Sequence, residues 1–309
     1  MSFTSEIKKE LISAEDDACC LQAELAAIIR MNGLLITMDN HLSLDVQTES
    51  AAIARRIFSL LKKMVTDPVE LIVRKKMKLK KNNVYIVRMR HHVEELLELL
   101  QIEYEEDGFE QTELLQSFSH EGCKRAYLRG AFLARGSINN PETSSYHLEI
   151  FNLDSDHNQI LSSILNDYQL HARELQRRNG FIVYIKEAEK ITEFLGLIGA
   201  NNALFKFEDV RIVRDMRNSV NRLVNCETAN MNKTIGASVR QMESIKYIKK
   251  TVGLDALPVR LKEIAEIRLE HPEVTLKEIG ELIPSGKLSK SGVNHRLKKI
   301  EKFAEELEE

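Results

Sequence analysis

Apolar side chains recur along this chain at helical spacing, then at alternate positions, then at helical spacing again. The cycle runs twice before a purely helical tail. Residues 4–16 predict a first helix with Ile7 and Leu11 on one face. Helix 21–32 follows, then a strand at 34–38, a turn at Asp39-Asn40 and an alternating strand over 41–47. The alternation puts Leu42, Leu44 and Val46 on one side, as a half-buried sheet requires. Helix 50–65 carries Ile53, Ile57, Leu60, Leu61 and Met64. Strands 69–77 and 84–90 flank the polar turn 80–83, and helix 93–101 closes the unit. After an acidic connector with a short helix over 103–120, the order returns: helix 122–135, strands near 137–139 and 146–153, helix 155–167, strands 169–175 and 181–186, helix 187–198. Two αββαββα units in one chain imply an α+β, pseudo-twofold domain.

The tail reads differently. Helix 204–224 shows Phe207, Val210, Val213, Val220 and Leu223 as an apolar stripe, with Arg211, Arg214, Arg217 and Arg222 opposite. The polar stretch Asn225–Lys233 predicts a turn or hinge, and Gly253 ends helix 234–252. Pro258 opens helix 258–270 and Pro272 closes it. Thr275 and Glu278 have capping-box spacing and start helix 276–283; the turn 284–289 leads to a last helix over 290–307. These boundaries divide the chain into a repeat domain (1–200, repeats about 20–101 and 122–198), a helical linker and hinge (201–233) and a helical domain (234–309).

The final helix pair carries a functional pattern. Val293, Leu297, Ile300 and Ala304 face a core, whereas residues 285–302 hold Lys287, Lys290, Arg296, Lys298, Lys299 and Lys302 against the single acid Glu301. A helix-turn-helix whose second helix enters the major groove needs this division, with base readers near its start and cations beside phosphates. Asn294, His295 and Arg296 are the candidate base contacts, because Asn and Arg can pair bidentately with adenine and guanine. Lys287, Lys290, Lys298 and Lys299 are the candidate phosphate contacts. Thr275 and Lys277 lie on the preceding helix, and Ser289 or Ser291 can cap the second, Ser291 also being placed to touch phosphate. A solvated surface helix is the plain alternative. The string Thr275–Glu281 followed by Val293 to Ile300 resembles the promoter-binding helix-turn-helix of sigma factors, with a longer turn at Pro284–Leu288.

Net charge is only −3, so a nucleic-acid surface must come from local segregation of charge. Residues 71–92 supply one candidate: Arg74, Lys75, Lys76, Lys78, Lys80, Lys81, Arg88 and Arg90 occur there without an acid, on two strands and their turn. Arg173, Arg177 and Arg178 hold the corresponding strands of the second repeat. His91 and His92 read as phosphate neighbours or plain surface. The cysteines Cys19, Cys20, Cys123 and Cys226 form no CxxC pair and have no His at zinc-ligand spacing, so no metal, cofactor or disulfide framework is expected. No apolar run reaches the length of a membrane span, and a reducing cytoplasmic location is expected.

The nonapeptides Leu25–Gly33 and Leu128–Gly136 occupy the same place in the two repeats and resemble the signature helix of LAGLIDADG homing endonucleases. The resemblance implies that the two helices pack through small residues, here Ala26, Ala27, Gly130 and Ala131. It also implies a metal-holding acid at the penultimate position of each nonapeptide. Those positions are Asn32 and Arg135. Mg²⁺ needs hard anionic oxygens, and a neutral amide with a guanidinium cannot supply them. No catalytic residue is expected; Gly33 and Gly136 should permit a sharp exit into the next strand.

Residues 2–11, the degenerate helix pair, Arg217–Glu227 and Ser289–Arg296 together resemble the sporulation regulator WhiA family over essentially the whole chain. The resemblance implies a non-enzymatic transcription regulator of Gram-positive bacteria, linked to sporulation, cell division and chromosome segregation. It would be cytoplasmic and nucleoid-associated, bound to double-stranded DNA. Another transcription regulator or RNA polymerase is a candidate protein partner, no membrane is involved, and a monomer suffices. Two rivals stand beside it: an active homing-type endonuclease, and a division-linked nucleoid protein with largely nonspecific DNA binding.

Overall fold

The computed structural model describes residues 2–38, 41–75, 83–105, 108–109, 120–143 and 145–308. Two compact units divide the chain, Met1–Asp215 and Met216–Glu309. In the first, helix α1 (Phe3–Leu11) precedes α2 (Ala18–Asn32), strands β1 (Gly33–Met38) and β2 (His41–Thr48), α3 (Ala51–Met64), β3 (Val69–Lys75), β4 (Asn83–Met89) and α4 (Val93–Leu99). A two-stranded ribbon, β5 (Tyr104–Glu105) and β6 (Gly108–Phe109), follows; the short helix expected over 103–120 falls on residues outside those described. The second repeat comprises α5 (Glu121–Arg135), β7 (Gly136–Ile138), β8 (Leu148–Asn152), α6 (Ser155–Asp167), β9 (Arg173–Arg177), β10 (Gly180–Ile185) and α7 (Ala188–Leu197).

Both sheets are antiparallel with the same order, β1-β2-β4-β3 and β7-β8-β10-β9. In each, alternate side chains face the helices. Leu44, Val46, Val87 and Met89 do so in one sheet, and Leu148, Ile150, Val183 and Ile185 in the other; all are buried in one core with α2, α5 and the flanking helices. The signature helices cross closely: a Cβ on Gly130 would collide with the Glu24 carbonyl oxygen and lie 3.0 Å from Ala27 Cβ. Glycine at that crossing therefore sets how near the two backbones can come.

Inside the helix pair lies a charged network that no periodicity announces. Glu24 is fully buried, and its carboxylate accepts from Arg56 Nε and Nη2 at 2.8 and 3.0 Å and from Arg129 Nε at 2.8 Å. Arg129 Nη2 also donates to Asp16. Burial works against the Arg129 charge, yet Glu24 and Asp16 more than offset it and raise its pKa. A second buried group is His157, on α6. With the Asn152 amide donating to Nδ1 at 2.8 Å, the neutral ring carries its proton on Nε2 and donates it to Tyr127 Oη at 2.6 Å.

Burial, reinforced by the nearby Arg30 charge, pulls the His157 pKa down to about 4. The unfolded chain binds this proton near pH 6.5 and the folded chain does not. His157 therefore costs nothing above pH 6.5 and progressively destabilises the fold from there down to about pH 4, by about 3 kcal/mol in all. His157→Gln should flatten the acid side of the first unit's stability profile between those limits, as chemical denaturation at stepped pH would show. An unchanged slope would count against a neutral buried imidazole.

The long helix α8 (Asn201–Thr251) is continuous, and residues 225–233, expected to form a turn, are helical. That stretch contains neither Gly nor Pro, so polarity alone suggested a break that backbone chemistry does not impose. Of the expected apolar stripe, Phe207 is buried beside Phe3 and Tyr146, whereas Val213, Val220 and Leu223 are exposed. Beyond a short 3₁₀ turn at Leu254–Ala256 come α9 (Val259–Glu270), α10 (Leu276–Leu282) and α11 (Lys290–Glu308). The core of this second unit gathers Ile245, Ile248, Ile264, Ala265, Ile279, Val293, Leu297 and Ile300. No helix among the described residues is long and apolar enough to cross a membrane.

Candidate nucleic-acid interface

Asn32 and Arg135 are the last residues of α2 and α5, and they meet. Arg135 Nε donates to Asn32 Oδ1 at 2.9 Å, a bond joining the two helix ends where the homing-endonuclease resemblance implies metal-holding acids. The guanidinium also lies 5.6 Å from the centroid of the Phe151 ring. Burial lowers the Arg135 pKa. The residues that follow, Gly33 and Gly136, have φ of −77° and −76°, an extended backbone open to any residue. Glycine was expected there for its conformational freedom; the actual reason is space. A Cβ on Gly33 would run into the Ile29 carbonyl oxygen, and one on Gly136 into the Phe132 side chain.

A cleft of about 300 Å³ opens beside this pair, lined by Arg30, Gln47, Asn152 and Asp154 among others. Its carboxylate, Asp154, already caps α6 by accepting from Asp156 N–H at 2.7 Å and His157 N–H at 3.2 Å. An amide locked to a guanidinium offers none of the hard anionic oxygens that divalent phosphoryl chemistry requires.

The sheet faces turned away from the helices carry fewer uncompensated cations than the sequence window suggested. Cross-strand register puts Asp45, Arg88 and Glu70 side by side. Arg88 grips Asp45 through Nε and Nη2 at 2.6 and 2.7 Å, and Arg90 grips Glu70 at 2.9 and 3.2 Å. In the second sheet Arg177 Nη2 donates to Glu149 at 2.7 Å. Asp45 comes from β2, and Glu70 sits on β3 one residue before the counted stretch, which is why a count along residues 71–92 missed them. Arg74, Lys75, Arg173 and Arg178 form no ion pair among the described residues; the expected phosphate ligands Lys76, Lys78, Lys80 and Lys81 lie outside them. His91 is exposed, and His92 Nδ1 sits 2.8 Å from Asp67.

In the second unit the helix-turn-helix is built from the expected residues. The capping box forms: Thr275 Oγ1 accepts from Glu278 N–H at 3.4 Å, and a Glu278 carboxylate oxygen accepts from Thr275 N–H at 2.7 Å. The hydrogen bonds from Thr275 hold the Glu278 carboxyl below its usual range. The turn closes where Leu288 N–H donates to the Gly280 carbonyl at 3.0 Å, and any Cβ on Gly280 would collide with the Leu288 carbonyl. Ser289, rather than Ser291, caps α11, accepting from Gly292 N–H at 3.2 Å.

The α11 face opposite the core presents Lys290, Ser291, His295, Lys298 and Lys299 to solvent; Lys277 and Lys287 are exposed before it, and Asn294 is half-buried. Arg296 is half-buried too and reaches back to the Arg260 carbonyl at 3.5 Å. A helix start with free N–H groups and flanking lysines attracts anionic oxygen.

Sequence reasoning missed the Glu24 network and a cluster of Cys19, Cys20, His120 and Cys123, whose ligand atoms all lie within 4.8 Å of one another. The sole advance signal for the cluster was that Cys20 and Cys123 occupy equivalent places in the two repeats.

Comparison with known proteins bears on all three segments. Residues 18–103 match the WhiA N-terminal LAGLIDADG-like domain, residues 124–217 the WhiA LAGLIDADG-like domain, and residues 220–304 the WhiA C-terminal HTH domain. The "Probable cell division protein WhiA" of Bacillus subtilis (strain 168) is 62% identical over 99% of this chain and 97% of its own length. That of Oceanobacillus iheyensis is 64% identical over 99% and 98%. The crystal structure of full-length DUF199/WhiA from Thermatoga maritima covers 99% of both chains at 28% identity with a TM-score of 0.59. With a relative above 60% identity across its length and a domain match in each segment, this chain belongs to the WhiA family.

Proposed function

We propose that the protein is a sequence-specific, non-cutting DNA-binding transcription regulator. The observation that carries this reading is α11: a Ser289-capped helix seated in a core packed from α8, α9, α10 and α11, with Lys290, His295, Lys298 and Lys299 on its open side. Asn294, His295 and Arg296 read base edges; Lys287, Lys290, Lys298 and Lys299, with Thr275, Lys277 and Ser291, hold the backbone. Arg296 must leave the Arg260 carbonyl to do so, a weak bond at 3.5 Å. The repeat domain retains the endonuclease-like scaffold as a docking or partner-binding body and does no phosphoryl chemistry, a reading supported by the Asn32–Arg135 bond.

The relatives' description as cell division proteins supports a role in division, with sporulation and chromosome segregation as family-level extensions. The protein works in the cytoplasm on the nucleoid, beside RNA polymerase or a second regulator. Genome-wide mapping of binding sites, paired with a version carrying Lys290→Glu and Arg296→Glu, tests this: discrete peaks that vanish in the variant support it, and peaks that persist refute it. A second reading, nonspecific nucleoid binding, is favoured by the predominance of lysine over base-reading side chains on α11. It predicts an affinity ratio near unity between mapped sites and random duplex at fixed salt.

A further inference from the structure

We propose that Cys19, Cys20, His120 and Cys123 form a Cys₃His site for Zn²⁺ that staples together the N-terminal ends of the two signature helices. The residues come from two segments far apart in the chain. Cys19 and Cys20 lie in the first turn of α2; His120 is the N-cap of α5 and Cys123 lies in its first turn. Cys19 Sγ is 3.1 Å and Cys20 Sγ 3.8 Å from His120 Nε2, and all four ligand atoms fall within 4.8 Å of one another. A tetrahedral zinc with Zn–S bonds of about 2.3 Å requires ligand atoms roughly 3.8 Å apart. Small side-chain rotations reach that spacing.

Three features fit a metal better than plain packing. Three thiols and an imidazole converge at one spot, a donor set whose soft sulfurs and borderline nitrogen suit Zn²⁺. Both segments start helices, and the positive ends of two helix dipoles favour thiolate over thiol. Room has been left for the cluster: a Cβ on Gly122 would collide with the His120 ring and lie 3.1 Å from Cys20 Sγ. On binding the metal each ligating thiol gives up its proton. Cys20 and Cys123 are buried while Cys19 is half-buried and His120 exposed, which leaves an entry path from solvent.

His120 Nδ1 accepts from Gly122 N–H at 3.0 Å, so the metal-free neutral ring carries its proton on Nε2 and donates it to Cys19. Ligation through Nε2 moves that proton to Nδ1, which then no longer accepts from Gly122 N–H; the exposed ring can turn to point Nδ1–H at solvent. The site lies at the opposite ends of α2 and α5 from Asn32 and Arg135, so its role is structural, not hydrolytic. Cys226 is exposed on α8 and serves as an internal control.

The test uses the full chain, purified without an affinity tag and dialysed against a weak chelator. Elemental analysis should return about one zinc per chain. Titration of chelator-stripped protein with Co²⁺ should give the intense visible bands of a tetrahedral ion and thiolate-to-cobalt charge transfer. Cys20→Ser and Cys123→Ser should each lose the metal, and Cys226→Ser should keep it, with circular dichroism confirming that each variant folds. Wild-type protein that retains no zinc and binds Co²⁺ without charge transfer overturns the proposal, a result independent of how the variants fold. So does a disulfide among these cysteines in protein purified under reducing conditions, or metal retention unaffected by both substitutions.

Discussion

The doubly charge-reversed protein, Lys290→Glu with Arg296→Glu, should lose specific DNA binding by at least about 100-fold. Each lost phosphate contact removes a released counterion and lowers the salt slope by roughly one, and a lost bidentate base contact costs about 1–3 kcal/mol. The new carboxylate at position 290, in the first turn of α11, also repels the backbone that the Ser289-capped helix end attracts, and the one at 296 adds to the repulsion in the next turn. The fold should survive, because Lys290 is exposed and Arg296 makes only the long bond to the Arg260 carbonyl. Electrophoretic or anisotropy titration at several salt concentrations separates the two roles. Lys290→Glu alone should weaken binding to all sequences evenly, and Arg296→Ala should relax discrimination at one base pair. Equal affinity of the double variant for its sites would place DNA recognition on another surface.

Glu24→Ala should destabilise the first unit by about 3–5 kcal/mol, the usual cost of stranding buried charge. Glu24 is the shared acceptor for Arg56 and Arg129, and after its removal Asp16 can still serve Arg129 but nothing described serves Arg56. The melting temperature of that unit should fall on the order of 10 °C. Arg56→Met with Glu24→Leu together should recover much of the loss, since a well-packed apolar replacement removes both desolvation costs. A single variant that melts like the wild type would show that water reaches the network.

Most of the architecture was legible because the repeat writes the same period twice. The strand–strand–helix order, the helix pair and the α+β class follow from apolar spacing, and the helix-turn-helix from one capping box and one charge-segregated helix. What stayed hidden involves partners from separate strands or helices. Asp45 and Glu70 neutralise Arg88 and Arg90 through sheet register, which a window confined to residues 71–92 cannot see. The cysteine–histidine cluster forms because the pseudo-twofold brings the starts of α2 and α5 together, so ligand spacing along the chain is uninformative there. The break expected at residues 225–233 failed for the converse reason: a polar stretch without Gly or Pro can continue a solvent-exposed helix. At the degenerate site the reading rested on residue identity alone, and the Asn32–Arg135 bond adds the geometry that makes the substitution self-consistent.

The central claim is that this scaffold holds DNA without breaking it, and strand scission tests it most directly. Supercoiled plasmid bearing a mapped binding site should remain intact with saturating protein and Mg²⁺ or Mn²⁺, while footprinting in the same buffer shows the site occupied. Metal-dependent nicking or linearisation at that site, abolished by substitution at Asn32 or Arg135, would contradict the account.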